Sequence, residues 1–170
     1  MKIYLIGLPG CGKTTLGRQL AQHLNVPFID LDAEIEKSER MSIKEIFKFR
    51  GENIFRKVEA LLLKRMTDEN DQFIMATGGG APVFFDNMQV MNQLGQTVFL
   101  DVPAREIVNR IEKSNKGERP LLARLAPDEL KDQIEFLRSQ RINFYNQATH
   151  RISAETIELE DLLIKLQLAR

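Results

Sequence analysis

A chain of 170 residues with 43% hydrophobic and 28% charged residues is long enough to close one core without disulfides or a structural metal, and too apolar to stay disordered. Lys plus Arg and Asp plus Glu number 24 each, so the formal net charge is zero; that argues against a nucleic-acid protein, which needs a basic excess. The single cysteine, Cys11, excludes an intrachain disulfide and fits a reducing, cytoplasmic compartment, and no stretch is long and apolar enough to cross a bilayer.

Lys2–Ile6 is nearly continuous in hydrophobicity, as expected of a strand buried on both faces. A glycine-rich turn, Gly7–Gly12, follows. Leu16, Leu20 and Leu24 then fall at helical spacing, which predicts a helix over Lys13–Leu24. Val26–Leu31 is expected as a second strand. Residues from about Ala33 to Glu69 are helical in pattern, with breaks near Ser42 and at Gly51. Gln72–Ala76 is a short strand stopped by Gly78–Gly80, and Asp86–Leu94 a helix. Thr97–Val102 is a strand halted at Pro103, which can open the next helix. Ser114–Ala126 is expected to be a loop, Asp128–Tyr145 a long helix, Arg151–Ser153 a last strand and Leu159–Leu168 a last helix. Strands that alternate with helices predict an α/β fold with a parallel sheet, whose ligands sit at the carboxyl ends of the strands.

The motifs fall at such ends. Gly7-Leu-Pro-Gly10-Cys11-Gly12-Lys13-Thr14 satisfies G-x-x-x-x-G-K-[ST] between a strand and a helix. Its backbone N–H groups can turn around an anion at the helix N-terminus. Lys13 is a point charge for the β- and γ-phosphates, and the Thr14 hydroxyl a hard ligand for Mg²⁺. Cys11 is read as a small residue that fits, with a reactive thiol as the lesser alternative. The pattern indicates nucleotide binding without separating a kinase from a switch GTPase or a mechanical ATPase.

On the acceptor side the readings stay double. Asp30-Leu-Asp32 places two carboxylates at the end of the second strand. One could hold Mg²⁺ and the other take a hydroxyl proton, or they could simply open a helix. Gly78, Gly79 and Gly80 admit a ligand to the backbone or serve as a connector. Arg56 and Glu59, three apart on a helix, are a pre-positioned fork or a solvated pair. Arg141 shares a stripe with Leu130, Ile134, Leu137 and Phe144, so it needs an anion or lays its stem along the core. Arg119, before Pro120 in a polar loop, suits a mobile lid or a plain surface loop, and Arg110 could face the adenine.

Taken in order, GLPGCGKT, Asp30-Leu-Asp32, SIKEIF, GENIFRKVE, ATGGGAP, GERPLL and Arg141-Ile-Asn-Phe-Tyr145 resemble the shikimate kinases from Ile3 to about Ile152. The resemblance implies a three-layer α/β/α P-loop kinase with a five-stranded parallel sheet in the order 2-3-1-4-5. It implies one domain over residues 1–170, with a substrate-binding helical segment at about 32–70 and a lid at about 113–124. The implied activity is transfer of the ATP γ-phosphoryl group to the 3-hydroxyl of shikimate, with Mg²⁺ bound, by a monomer with no nucleic-acid or membrane partner. Asp32 would meet the acceptor hydroxyl. Arg56, held by Glu59, and Arg141 would grip the carboxylate beside Gly78, Gly79 and Gly80, with Phe47 and Phe55 as walls. Thr14 and Asp30 would serve the metal. Gly10, Cys11, Gly12, Lys13, Thr14, Thr15, Arg110 and Arg119 would hold ATP, with Lys13 and Arg119 acting in catalysis alongside Asp32. The stretch Ser153-Ala-Glu-Thr156 departs from the family pattern, lacking the basic or proline residue often found beside the adenine. A kinase for another hydroxy acid such as gluconate, and a binding module without turnover, are the alternatives. A switch GTPase is disfavoured because neither N-K-x-D nor D-x-x-G occurs.

Overall fold

The computed structural model of the chain describes residues 1–113 and 126–168. Its centre is β1 (Lys2–Ile6), whose residues Ile3 to Ile6 are at most 1% exposed. Such burial on both faces explains the unbroken apolar run. β1 pairs in parallel with β3 (Phe73–Ala76) on one side and β4 (Gln96–Asp101) on the other. The half-exposed strands β2 (Phe28–Asp30) and β5 (His150–Ser153) form the edges, so the order is β2-β3-β1-β4-β5, all parallel, with helices on both faces. The chain moves outward to β2, returns to β3 and then crosses to β4. The order therefore reverses around β1, and a crevice opens at the carboxyl ends there.

α1 (Lys13–Leu24) lies so close to the sheet that a Cβ on Gly17 would come within 2.6 Å of the Phe28 ring. α2 (Leu31–Glu39) is followed by α3 (Ile43–Glu69). α3 starts at a reciprocal cap: Ser42 Oγ accepts from the Glu45 N–H (3.2 Å), and Glu45 Oε2 accepts from the Ser42 N–H (2.8 Å). Such a cap stabilises a helix start by about 1 kcal/mol. Gly51 interrupts α3 at φ 81°, ψ 165°, a conformation that glycine tolerates and L side chains avoid. The predicted breaks at Ser42 and Gly51 are thus both present. α4 (Asn87–Leu94), α5 (Ala104–Lys113), α6 (Pro127–Tyr145) and α7 (Leu159–Lys165) complete the described α-helices, and a 3-10 turn spans Ala81–Val83.

One expectation changes in substance. Asp32 is not on a strand: β2 ends at Asp30, and Asp32 lies in the first turn of α2. Asp30 caps that helix, its Oδ1 accepting from the Ala33 N–H at 3.4 Å. The capping preference of Asp outweighs strand continuation there.

Candidate active site

The phosphate loop leaves β1 and returns as α1. Gly10 and Gly12 adopt φ of 86° and 105°, which a side chain would strain. Cys11 is fully buried, and its N–H donates to Leu8 O at 3.2 Å; its side chain packs under the loop as a small residue. Lys13 is buried too. Its ammonium donates to the carbonyls of Gly7 and Leu8, both at 2.9 Å, and lies 3.8 Å from Cys11 Sγ. The Thr14 hydroxyl donates to Asp30 Oδ2 at 3.0 Å. The two hard oxygens expected to serve a metal are therefore adjacent, although one comes from α1 and the other from the end of β2.

The glycine triplet follows β3, and each of its residues abuts a different polar side chain. A Cβ on Gly78 would meet Asp32 Oδ1 at 2.8 Å and Glu59 Oε1 at 3.0 Å. On Gly79 it would meet Arg141 Nη1 at 3.0 Å, and on Gly80 the Arg56 guanidinium at 2.6–2.8 Å. The side chains removed at these three positions make the room in which residues from α2, α3 and α6 converge. The triplet is thus more than a connector: its missing side chains admit the protein's own polar groups to the backbone.

Arg56 is buried between the rings of Phe55 and Phe84, 4.9 and 4.2 Å from their centroids. It donates from Nη1 to Glu59 Oε2 at 2.9 Å, so the pair is interior rather than solvated. Phe47 packs against Phe55 at 4.7 Å. Burial pushes the Glu59 carboxyl up from its ordinary value, and Arg56 opposes the shift. Among the described residues Glu59 Oε1 is buried without a hydrogen-bond partner. Burial also raises the Asp32 carboxyl; the charge of Asp30 adds to the rise, while Lys13 and Arg56 oppose it. The environment therefore favours a proton on Asp32 more than water would, which makes it a stronger base than a free aspartate.

Arg141 lies at the edge of α6's buried stripe, which consists of Leu130, Ile134 and Tyr145. The expected stripe is rotated slightly, and Leu137 and Phe144 are only partly covered. Tyr145, one turn on, donates its hydroxyl to Gly79 O at 2.5 Å and ties α6 to the triplet. Burial pushes its phenol up to about 12, so it remains a donor. Among the described residues no carboxylate forms an ion pair with Arg141. Arg110 donates from Nη1 to Cys11 O at 3.2 Å, from Nη2 to Glu155 O at 2.8 Å and from Nε to Glu106. It links the phosphate loop to the loop after β5. Thr15, Asp32, Gly79, Arg110, Thr156 and Ile157 are among the residues that line a cleft of about 1430 Å³. Arg119 and the expected lid, apart from Lys113, lie outside the described residues.

Asp101 at the end of β4 accepts from Arg138 on α6, from Arg151 Nε on β5 at 3.0 Å and from the Ser153 hydroxyl at 3.1 Å. Burial raises the Asp101 carboxyl, but the hydrogen bonds from Arg138 and Arg151 outweigh it and leave the pKa below its ordinary value. The stability gained is therefore full above the unfolded value of about 3.9 and is lost as pH falls through the lower folded value. Asp101→Asn should destabilise by about 1–3 kcal/mol at pH 6. The gap to wild type should narrow at pH 3 in urea titrations, and a gap independent of pH would contradict this account.

Sequence reasoning missed the tie of Tyr145 to the triplet and the Asp101 cluster, as well as a second carboxylate on Arg56, that of Glu52 (Nε and Nη2 to Oε1, both 3.2 Å). Only the last had a local signal, the i, i+4 spacing of Glu52 and Arg56.

A family model described as shikimate kinase matches residues 9–168. A shikimate kinase of Bacteroides fragilis is 43% identical over 158 residues, which span 93% of this chain and 87% of that one. The crystal structure of a shikimate kinase from Bacteroides thetaiotaomicron superposes with a TM-score of 0.93 at 40% identity, covering 99% of both chains. A shikimate kinase from Acinetobacter baumannii in complex with shikimate does so with a TM-score of 0.84 at 33% identity, covering 98% of this chain and 90% of that one.

Proposed function

The chain belongs to the shikimate kinase family, and from that premise we propose how its cleft works. The enzyme transfers the γ-phosphoryl group of ATP to the 3-hydroxyl of shikimate, giving shikimate 3-phosphate and ADP, a step towards chorismate and the aromatic amino acids. The observation that carries the residue assignment is the glycine triplet, whose three α-carbons gather Asp32, Arg141 and Arg56; Asp32 and Gly79 also line the cleft that contains Lys13.

In this reading the loop N–H groups and the start of α1 hold the triphosphate, and Lys13 supplies positive charge to the transferring group. Thr15 and Arg110 take the nucleoside end. Asp32 orients the acceptor hydroxyl and takes its proton. Arg56 and Arg141 hold the carboxylate, and Gly78, Gly79 and Gly80 let the acceptor ring approach the backbone. Thr14 and Asp30 fit Mg²⁺, which keeps several waters and uses one or two protein oxygens together with substrate phosphates. Their 3.0 Å contact is a donor pair of that size. Bound there, the ion would neutralise charge on the β- and γ-phosphates. Arg119 would reach the same phosphates from a lid at about 113–124, a role carried by the family resemblance. A single domain, with an acceptor-binding helical segment at about 32–70, completes the proposal. Among the described residues no helix is long and apolar enough to cross a membrane. We place the enzyme in the cytoplasm as a monomer, without membrane or nucleic-acid partners.

The carboxylate grip is tested with the ligand. Shikimate should bind far better than the analogue in which an amide replaces the carboxylate. Arg141→Ala or Arg56→Ala should weaken acceptor binding by roughly 2–5 kcal/mol, change ATP binding much less and discriminate less between acid and amide. Equal affinity of the wild type for acid and amide, measured by calorimetry, would remove the assignment.

A further inference from the structure

We propose that Glu52 is an internal competitor for the acceptor's carboxylate at Arg56, and so sets the affinity and selectivity of the acceptor site. The inference rests on the reading of Arg56 as a carboxylate-binding residue.

A guanidinium has five N–H donors, and two of its edges can take a carboxylate through paired bonds. At Arg56 the Nε–Nη2 edge is occupied: Glu52 Oε1 accepts from both nitrogens at 3.2 Å. Nη1 is held separately by Glu59 Oε2 at 2.9 Å. The two carboxylates differ in kind. The Glu59 side chain has no exposure and cannot leave without abandoning a buried charge, whereas that of Glu52 is 55% exposed. Gly51, with φ 81°, breaks α3 immediately before Glu52 and sets this side chain on the first turn of the second half of the helix. From there it reaches Arg56 one turn on.

Orientation of Arg56 does not require Glu52. The guanidinium is already fixed by Glu59, by the Phe55 and Phe84 rings, and by the backbone of Gly80 pressed against it. What Glu52 adds is an occupied edge and an extra negative charge. Arg56 with Glu59 is neutral; with Glu52 the group of three is net negative, and an arriving anion is repelled. A carboxylate tethered one turn away also acts at high effective concentration. Simple anions therefore compete poorly for this edge. A ligand that is also held by Arg141 and by its hydroxyl contacts can displace Glu52, because an exposed i, i+4 pair is weak.

Shikimate KM should fall about 2–5-fold in Glu52→Gln, the scale of releasing one exposed charge pair. The change in KM should exceed any change in kcat. The KM of the amide analogue should not fall in parallel, because the amide has no charge to be repelled. Cyclohexanecarboxylate, a ring carboxylate without hydroxyls, should inhibit the variant at lower concentration than it inhibits wild type. Glu52→Asp keeps the charge but shortens the reach, and should shift KM in the same direction by less; it also serves if the glutamine variant fails to fold. A shikimate KM that rises in the folded variants would make Glu52 an orienting residue, and one that stays constant would make the contact incidental. Either result overturns the proposal. If instead wild type accepts acid and amide equally, the error lies in the carboxylate reading of Arg56, and the competition falls with it.

Discussion

Replacing Lys13 with alanine should lower kcat/KM by about 10³-fold or more, a loss of roughly 4 kcal/mol of transition-state stabilisation. The size follows from where the ammonium sits. It is buried beside the loop, and its polar contacts among the described residues are the Gly7 and Leu8 carbonyls and the Cys11 thiol, all formally neutral. Its charge is thus not tied up in a direct ion pair among the described residues, though its field reaches Asp32, and it is available to an anion held by the loop. Phosphoryl transfer has little covalent chemistry for a protein to perform, so positioned charge is the main catalytic resource. The fold should tolerate the change, since the ammonium forms no ion pair within contact distance among the described residues and acts on the Asp32 carboxyl only through its field. Coupled ADP release would give the rate, and thermal denaturation would show that the variant is folded. A folded Lys13→Ala enzyme with wild-type activity would refute the role given to the phosphate loop.

How far the sequence reaches depends on whether a feature is local. The run Lys2–Ile6, the loop to Thr14 and the helix Lys13–Leu24 were legible because strand burial, glycine turn and helical spacing are all written in consecutive residues. Glu59 was legible as the partner of Arg56 because one helical turn joins them. Asp30 and Asp32 show a right neighbourhood reached by a wrong route. Strand periodicity would place both on one side, but the chain turns helical at Leu31, and the two carboxylates influence each other across a cap instead. Arg141 shows the limit of a stripe argument. Helical spacing marked the face but could not tell its centre, held by Tyr145, from its edge. The contacts that fix α6 against the sheet are long-range: Tyr145 to Gly79 spans 66 residues, and Arg138 to Asp101 spans 37. No pattern within a single element encodes them. They follow only once the parallel sheet brings β3, β4 and β5 together and α6 returns across their carboxyl ends.

Asp32→Asn should cut turnover by about 10² or more while leaving the protein at least as stable as wild type near neutral pH. The two halves of this expectation have one cause. Burial, reinforced by Asp30, pushes the Asp32 carboxyl above its ordinary value despite Lys13 and Arg56. For catalysis the shift makes the ionised form a better proton acceptor, and asparagine cannot accept the proton at all. For stability the sign is opposite to that at Asp101. The folded chain binds the Asp32 proton more tightly than the unfolded chain does. Stability therefore falls as pH rises from the unfolded value of about 3.9 through the raised folded value, and above it the ionised group is a standing penalty. Asparagine removes that penalty, so the variant's advantage in urea should be largest at neutral pH and vanish below the unfolded value. The acid limb of kcat/KM for wild type should fall above the usual carboxylate range and be lost in the variant. Nucleotide affinity, measured separately, should change little, since Asp32 faces the triplet at Gly78 rather than the loop backbone. Near-normal turnover in a folded Asp32→Asn enzyme would take Asp32 out of the proton transfer. A variant less stable at pH 7 than at pH 3, relative to wild type, would mean that the carboxylate is held by the site rather than penalised in it.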